Sequence, residues 1–196
     1  MRINEIFVSL QGEGRWTGTP CIFIRFAGCN QDCSFCDTNH HSYIEYTEEE
    51  ILQQEVFNSE IKHIVLTGGE PTLQITGKLL DLLHSRKSGS FIQIETNGSV
   101  ALPSEVYSKI DWVTCSPKNL PVKIQRIDEL KVVWQRQDMK QYDAILHTSI
   151  QCRYIQPCDV KDIEVNAKNT AEAINYILEH PQWKLSLQTQ KILNLR

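Results

Sequence analysis

Short apolar runs alternate along the chain with segments whose apolar residues recur at helical spacing. Apolar strands that alternate with helices usually pair in parallel, so this pattern predicts an α/β fold. The apolar runs place strands at residues 3–10, 21–26, 63–67, 91–94, 112–115, 130–134, 153–155 and 184–187.

Three segments carry the start or stop signals of helices. Thr47 is followed three residues later by Glu50, which is a capping box, and this helix should extend to Phe57. A second helix carries leucines at positions 79, 80, 82 and 83. A third runs from about Thr170 to His180, and Pro181 stops it because proline cannot continue a helix.

Each unusual polar or glycine-rich motif follows a predicted strand directly. In parallel α/β sheets and barrels the carboxyl ends of the strands share one face, and that face holds the active site. Any one of these motifs is compatible with an ordinary turn. Six such turns after six strands are better explained by one shared pocket, and they occupy residues 11–14, 29–36, 68–71, 95–98, 116–118 and 156–159.

Three cysteines lie close together in a polar loop, with three and then two residues between them: Cys29, Cys33 and Cys36. Thiolates are soft ligands that suit zinc, copper(I) and iron–sulfur clusters. Structural zinc and ordinary 4Fe–4S clusters take four protein ligands. Because this loop offers three, a cluster bound here would keep one iron open to a substrate or cofactor. A zinc site completed by a distant cysteine is the alternative.

Composition narrows the classes of function. A chain of 196 residues is long enough for one sizeable domain, which we expect to span residues 1–196. The net charge of -4 gives no reason to expect a nucleic-acid or membrane surface. No export signal or membrane-spanning apolar stretch is visible. Seven cysteines, an odd number, argue against a disulfide framework, so a reducing cytoplasm is expected.

The cysteine spacing, with an aromatic residue immediately before the third thiol, resembles the signature of the radical S-adenosylmethionine (SAM) enzymes. The sequence Gly-Gly-Glu-Pro at residues 68–71 is similar, letter for letter, to the motif that faces the amino and carboxylate groups of SAM in that family. The resemblance implies an incomplete TIM-type barrel of mostly parallel strands. It also implies a 4Fe–4S cluster on Cys29, Cys33 and Cys36, and SAM contacts at Phe35, Cys36, Asp37, Gly68, Gly69, Glu70, Cys115, Ser116, Pro117 and Lys118.

Further motifs narrow the resemblance. The chain resembles the 7-carboxy-7-deazaguanine synthase family over nearly its whole length. The motifs that carry this resemblance are residues 10–14, Arg25, and residues 36–38, 67–71, 95–98, 116–118 and 187–189. This implies a lyase that converts 6-carboxy-5,6,7,8-tetrahydropterin to 7-carboxy-7-deazaguanine with loss of ammonia, on the pathway to queuosine. The radical would come from the cluster and SAM, without a catalytic side chain.

The same resemblance supplies the other ligands and partners. It implies Mg²⁺ on Thr38 and an electron donor such as flavodoxin or ferredoxin. Because an incomplete barrel leaves open edges, a homodimer is also expected. The implied substrate contacts are Leu10, Gln11, Gly12, Glu13, Arg25, Thr67, Gln156 and Arg196.

Three of these side chains suit the implied chemistry by their own properties. The Glu13 carboxylate can accept two hydrogen bonds from the amino-pyrimidinone edge of a pterin. Arg25 offers a planar fork for a substrate carboxylate. Thr38 supplies a hard oxygen ligand of the kind that Mg²⁺ takes. The ordinary alternatives are a solvated glutamate, an arginine in a surface ion pair and a threonine that caps a turn.

Some residues differ from those that the family resemblance leads us to expect. Family members often have histidine where this chain has Gln190, near a C-terminus that contacts substrate, so the function of this tail is open. The remaining thiols, Cys21, Cys115, Cys152 and Cys158, are expected in the core or the pocket wall rather than as a fourth ligand.

Two other functions compete with this interpretation. The first is an activating enzyme of the same superfamily, which abstracts hydrogen from a glycine of a protein partner and would not need the pair of Glu13 and Arg25. The second is a non-enzymatic module that carries zinc or a cluster. Zinc without labile sulfide would support that module.

Overall fold

The computed structural model describes residues 1–146 and 149–195. Its nine strands form one sheet in the order β3-β1-β2-β4-β5-β6-β7-β8-β9. From β2 through β4 to β9 each neighbouring pair is parallel, whereas β1 is antiparallel to both β2 and β3. The strands are β1 Arg2–Leu10, β2 Pro20–Phe26, β3 Ile44–Glu45, β4 His63–Gly68, β5 Phe91–Thr96, β6 Trp112–Cys115, β7 Glu129–Trp134, β8 Cys152–Pro157 and β9 Lys184–Leu185.

The sheet is open because β3 and β9 end it and are not paired with each other. The predicted α/β class and incomplete barrel of mostly parallel strands are therefore confirmed. The antiparallel start was not predicted, since the apolar pattern of β1 does not distinguish a strand that returns through a tight loop from one that crosses over.

Six α-helices cover the sheet or join its strands in the described residues. They are α1 Glu48–Leu52, α2 Gly77–Arg86, α3 Ser104–Tyr107, α4 Asp143–Leu146, α5 Ile163–Glu179 and α6 Thr189–Ile192. The capping box at Thr47 is present, but α1 ends at Leu52 and a separate 3₁₀ turn, Glu55–Asn58, buries Phe57. The helix predicted from Thr170 begins earlier because Asp162 caps it by accepting hydrogen bonds from the Glu164 and Val165 amides.

Residues alternate between two faces of the central strands, as strand geometry requires. On β7, Leu130 and Val132 are fully buried in the main core beneath the helices, whereas Lys131 and Val133 line a cavity on the other face. The same alternation on β2 turns Arg25 toward that cavity. The helix-covered face therefore supplies the main hydrophobic core, and the opposite face supplies polar groups. No helix in the described part of the chain is both long and apolar enough to cross a bilayer.

Candidate functional site

A cavity of about 720 Å³ opens at the carboxyl ends of the parallel strands. All six polar motifs contribute to its wall. Five of them follow the parallel strands β2, β4, β5, β6 and β8, which end at one edge. The expected shared face is wrong for residues 11–14, because β1 is antiparallel and Leu10 pairs with Pro20 at the start of β2, so this motif reaches the cavity from the opposite end. Of the predicted site residues, the cavity is lined by Leu10, Gln11, Gly12, Glu13, Arg25, Cys29, Cys33, Phe35, Cys36, Asp37, Thr38, Thr67, Gly68, Gly69, Ser116, Lys118 and Gln156. Glu70, Cys115 and Pro117 are not in this lining, and Arg196 lies outside the described residues.

The cysteine loop is tied down at both ends. The Gly28 amide donates to the His40 carbonyl at 2.8 Å, and the Cys36 amide donates to the Cys33 carbonyl at 2.9 Å. The Asn30 side chain donates to the Ser99 hydroxyl at 2.8 Å, which anchors the loop to the segment after β5. Partial burial raises the pKa of the Cys29 and Cys33 thiols above the ordinary value. These thiols therefore need a positive partner, such as iron, to ionise.

The donor set fits a 4Fe–4S cluster bound by three thiolates. Cys29, Cys33 and Cys36 all line the same cavity as free thiols. Among the residues that the structure describes, no three His, Cys, Asp or Glu side chains are grouped closely enough to hold one metal ion. A zinc ion needs its thiolates around one point, at about 2.3 Å. In a 4Fe–4S cluster each thiolate binds a different iron, so the three sulfurs can stand further apart.

Gly68, the last residue of β4, and Gly69 after it let that strand end approach the cysteine loop. A Cβ on Gly68 would lie 2.2 Å from the Phe26 carbonyl oxygen, and one on Gly69 would lie 1.9 Å from the Gly28 carbonyl oxygen. Both neighbours are backbone atoms that a side chain cannot push aside. Gly68 also has φ of +122°, which other residues rarely adopt. The glycines are therefore required by local packing as well as by any ligand that they face.

Glu70 joins two strand ends instead of lining the cavity. Its carboxylate is fully buried and accepts hydrogen bonds from the Thr72 amide and hydroxyl at 3.1 and 2.5 Å. It also accepts from the Thr96 hydroxyl and the Asn97 amide, both at 2.7 Å. The side chain thus holds the ends of β4 and β5 together, and a SAM contact by Glu70 stays a prediction for its backbone.

Ser116 and Lys118 lie opposite the cysteine loop. The Lys118 ammonium donates to the Ser116 hydroxyl at 2.7 Å and lies 5.6 Å from the centroid of the Phe35 ring. Burial, with the nearby charge of Lys131, lowers the pKa of Lys118. Cys115, by contrast, is fully buried in the main core outside the cavity lining, and burial raises the pKa of its thiol to about 12.

Glu13 is nearly buried at the floor of the cavity and is already hydrogen-bonded. One carboxylate oxygen pairs with the Lys131 ammonium, and the other accepts from the Gln188 and Gln190 amides at 3.0 and 3.1 Å. Burial raises the pKa of Glu13, but these partners outweigh it and lower the pKa to about 2. Because three donors occupy three of the roughly four acceptor positions of a carboxylate, one position remains for a ligand. A second ligand hydrogen bond requires a tail amide to move.

Arg25 is half-buried between a glutamate and the cysteine loop. Its Nε donates to Glu5 at 2.8 Å, and Nη1 lies 3.4 Å from the Thr38 hydroxyl. Glu5 was not predicted as a neighbour, but residues at positions 5 and 25 pair across β1 and β2. The ion pair orients the guanidinium while leaving part of its fork turned to the cavity. Both groups that the sequence assigns to the substrate carboxylate and Mg²⁺ therefore lie side by side.

Comparison with known proteins agrees with this geometry. Residues 23–136 match the family model for the radical SAM superfamily. The chain is 45% identical, over all of its length and 98% of the relative, to 7-carboxy-7-deazaguanine synthase of Bacteroides thetaiotaomicron. This chain belongs to the 7-carboxy-7-deazaguanine synthase family of radical SAM proteins.

Two other members of the family extend the comparison. The synthase of Haemophilus influenzae is 36% identical over 98% of this chain and 93% of its own length. The crystal structure of QueE from Escherichia coli superposes with a TM-score of 0.75 at 29% identity, covering 95% of this chain and 93% of that chain. The likeness to the Bacteroides thetaiotaomicron synthase spans the whole chain, so it includes both the N-terminal strand and the C-terminal tail, outside the region of the superfamily model.

In this family member the tail folds back over the cavity. The Thr189 amide and hydroxyl both donate to the Gly12 carbonyl, at 3.0 and 2.9 Å. A Cβ on Gly12 would lie 1.8 Å from the Gln190 side-chain oxygen, so a larger residue here would displace the Gln190 side chain. Lys191 pairs with Asp37 and Asp159, each at 2.8 Å. The tail thus connects the loops after β1, β2 and β8.

Weakening the ion pairs of Lys191 with Asp37 and Asp159 should make the C-terminal tail more mobile without abolishing activity. We expect Lys191→Met to raise the KM for substrate about two- to fivefold, since partly exposed ion pairs contribute at most about 1 kcal/mol. Backbone amides of residues 188–195 should exchange with deuterium faster than in the wild type. The measurement pairs steady-state kinetics with exchange mass spectrometry, and Lys184→Met, an exposed lysine on β9, is the control. Unchanged exchange in the tail of Lys191→Met would contradict this.

Sequence reasoning missed three residues that hold the charged side chains and the tail of the site in place: Lys131, Glu5 and Lys191. The sequence does indicate a special environment for Lys131, because a lysine inside an otherwise apolar central strand must form an ion pair when it is buried. The sequence gives no such indication for Glu5 and Lys191, since a charged residue on a strand or in a terminal segment is ordinarily solvated.

Proposed function

We propose that this chain is a radical SAM lyase that converts 6-carboxytetrahydropterin to 7-carboxy-7-deazaguanine and releases ammonia, in the supply of deazapurines such as queuosine. The observation that carries the proposal is that one cavity is lined both by Cys29, Cys33 and Cys36 and by Glu13 and Arg25. The name of the relatives, 7-carboxy-7-deazaguanine synthase, supports the same product. No feature of the described residues favours an activating enzyme for a glycyl-radical protein.

When bound, the cluster and SAM supply the one-electron chemistry that removes a hydrogen atom from the substrate. The chain's residues hold and orient these groups. The three loop cysteines would hold the cluster, and the backbone at Gly68 and Gly69 would receive the amino-acid end of SAM. Phe35, Ser116 and Lys118 line the same wall and would complete the SAM site. The cavity wall also excludes bulk water from the reacting atoms.

Two charged groups would fix the orientation of the pterin. Glu13 is ionised and acts only as an acceptor, so it suits the donor-rich amino-pyrimidinone edge. Arg25 would bind the carboxylate at the other end of the bicyclic ring. Leu10, Gln11, Gly12, Thr67 and Gln156 line the space around them. Two anchors of opposite charge admit the substrate in one direction and hold its reacting carbon in place.

Thr38 is the proposed ligand for Mg²⁺. Its hydroxyl lines the cavity but faces the Arg25 guanidinium at 3.4 Å rather than a carboxylate. A divalent ion beside a guanidinium needs negative charge from elsewhere. The substrate carboxylate can supply it, so Mg²⁺ and substrate should bind together.

The remaining assignments concern partners and location. We propose a homodimer, supported by the open sheet edges and by exposed apolar residues such as Ile163 and Ile192, which are 86% and 69% exposed. The electron donor would be a small redox protein such as flavodoxin or ferredoxin. A cytoplasmic location is consistent with seven free cysteines and with a cluster that needs reducing conditions.

Anaerobic reconstitution tests the proposed function. The purified protein is loaded with iron and sulfide and incubated with SAM, reductant, Mg²⁺ and 6-carboxytetrahydropterin, and the deazapurine is detected by mass spectrometry. We expect product and ammonia in equal amounts and a rate that depends on Mg²⁺. A protein that binds one zinc without labile sulfide, or a cluster-loaded protein that cleaves SAM but leaves the pterin intact, would overturn the proposal.

An Arg25→Gln variant tests the orientation of the pterin. It should weaken binding of the carboxylated substrate by about 10- to 100-fold, because a charged hydrogen bond contributes about 1.5–3 kcal/mol. Binding of a tetrahydropterin that lacks the carboxylate should be unchanged. Equilibrium dialysis under anaerobic conditions measures both ligands, with Arg86→Gln, an exposed arginine away from the cavity, as the matched control. An equal loss for both pterins would place the Arg25 effect in folding rather than in carboxylate recognition.

A further inference from the structure

Lys131 is a buried cation in the middle of the sheet. It lies on β7, between β6 and β8, and its side chain is 5% exposed. Burying an ammonium is costly unless well-placed carboxylates surround it. Here the ammonium forms an ion pair with Glu13 and lies 3.9 Å from a carboxylate oxygen of Glu95. The SAM and substrate contacts described above leave Lys131 without a function.

We propose that Lys131 is a positioning residue for Glu13: its ammonium holds the Glu13 carboxylate at the cavity floor in the orientation that receives the donor edge of the substrate. This inference rests on the proposed function. Glu13 would bind the amino-pyrimidinone edge of the substrate, and Lys131 would contribute by holding Glu13 in place. Lys131 itself is not required to touch the substrate.

The surrounding polar network supports this function. Gln11 donates to Glu95 at 2.9 Å, and its side-chain oxygen accepts from the Glu13 backbone amide at 3.2 Å. Gln11 and Lys131 therefore both connect Glu13 to Glu95, one through the Glu13 backbone and the other through its carboxylate. Because both the backbone amide and the carboxylate of Glu13 are held, its side chain has little freedom to rotate.

The other partners of the Glu13 carboxylate come from a less constrained element. Gln188 and Gln190 belong to the C-terminal tail, which a second substrate hydrogen bond would displace in part. Lys131 belongs to a strand paired on both sides. When the substrate takes the position of a tail amide, the ammonium stays in place and keeps the carboxylate aimed into the cavity.

The charges around Lys131 indicate that it acts by position rather than by proton transfer. The titratable groups that face it are Glu13, Glu95, Glu129 and Lys118. Burial lowers the pKa of Lys131, but the three carboxylates outweigh burial and raise its pKa above the ordinary value. An ammonium with a raised pKa is a poor proton donor near neutral pH. It remains a fixed positive charge.

A double-mutant cycle tests whether Lys131 acts through Glu13. The ligand is the oxidised analogue pterin-6-carboxylate, and its Kd is measured by anaerobic calorimetry on reconstituted protein with SAM. We expect Lys131→Met to raise Kd about 10- to 100-fold, because the ligand then loses its hydrogen bonds to a correctly placed charged group. In a Glu13→Gln background the same substitution should change Kd by no more than about twofold. Lys109→Met, which removes an ammonium paired with exposed Asp81, is the control.

Additive losses in the cycle would overturn the inference, because they would show that Lys131 acts independently of Glu13. A Kd unchanged in Lys131→Met would overturn it as well. The pH dependence separates positioning from simple destabilisation. In the wild type, the affinity for pterin-6-carboxylate should not fall near neutral pH through protonation of Glu13. In Lys131→Met, the affinity should fall as pH is lowered, because the unpaired Glu13 carboxyl takes up a proton.

A ligand-independent measurement separates this inference from the proposed function. Carbon-13 NMR of the Glu13 carboxyl, assigned with Glu13→Gln, should show a pKa near 2 in the wild type. It should move above the ordinary value of 4.5 in Lys131→Met, because burial is then unopposed. If the wild type binds no pterin, the proposed function fails, while the NMR result still decides the Lys131–Glu13 relation. If Lys131→Met does not fold, a wild-type Glu13 that titrates above 4.5 is sufficient to overturn the inference.

Discussion

A Cys33→Ala variant is expected to lose the cluster and all measurable deazapurine formation. Cys33 is one of three thiols in a loop that offers no fourth, so its removal would leave two irons without protein ligands. The loss should reach about 10⁶-fold or more, since enzymatic rate accelerations begin near that value. Iron, zinc and acid-labile sulfide per chain, together with product formation after reconstitution, measure the effect.

Cys152→Ala is the matched control for this loss. Cys152 is also a free thiol, but it packs with Trp112 and Tyr154 away from the cavity lining. Its removal should lower stability modestly and leave iron, sulfide and turnover unchanged. Thermal unfolding without metal should show that Cys33→Ala is folded, because Cys33 lies in a half-buried loop rather than in the core. Full retention of iron and sulfide by Cys33→Ala would refute the three-thiol site.

The second large effect concerns stability. Glu70→Ala should lower the free energy of unfolding by about 3 kcal/mol or more, because the buried Thr72 and Asn97 amides each lose an acceptor at about 1–3 kcal/mol. For a chain of this size that corresponds to a fall in Tm of roughly 6–12 °C. The two hydroxyls that also donate to Glu70 can rotate to other acceptors, whereas the amides cannot. Calorimetry on the protein without metal measures the change.

Two further variants test the origin of the Glu70 effect. Glu70→Gln keeps one acceptor oxygen but presents an NH₂ group to a second donor, so its Tm should lie between those of Glu70→Ala and the wild type. Glu49→Ala removes an exposed carboxylate paired with Lys78 and should leave Tm unchanged. A Tm for Glu70→Ala equal to that of Glu49→Ala would mean that the amides find other partners.

The candidate site was predictable from sequence where its residues belong to local motifs. The cysteines occur within eight positions of one another, and their spacing does not depend on the rest of the fold. Gly68 ends β4 and Gly69 follows it, so the topology of parallel strands places both at the cavity. Glu70 shows the limit of this reasoning. Its motif is intact, yet the side chain turns away from the cavity to accept four hydrogen bonds.

Helix boundaries were less predictable than strands. The apolar residues of a strand alternate within five or six positions, so a short window identifies it. Helix α5 begins with Ile163, which is 86% exposed, and its first turns have no continuous apolar stripe to mark them. The capping aspartate sets the start of this helix, and a cap acts through one side chain rather than through a pattern.

The sequence by itself determined the α/β class, the face on which the motifs after the parallel strands meet and the three thiols that offer a metal site. Only the tertiary structure decided how Glu13 is held, because Lys131 is 118 positions away and Gln190 is 177 positions away in the chain. The physical reason is that periodicity reports which face a residue occupies on its own element. Which charges meet across that face depends on strand register and on where the tail folds back, and both are settled by packing of the whole chain.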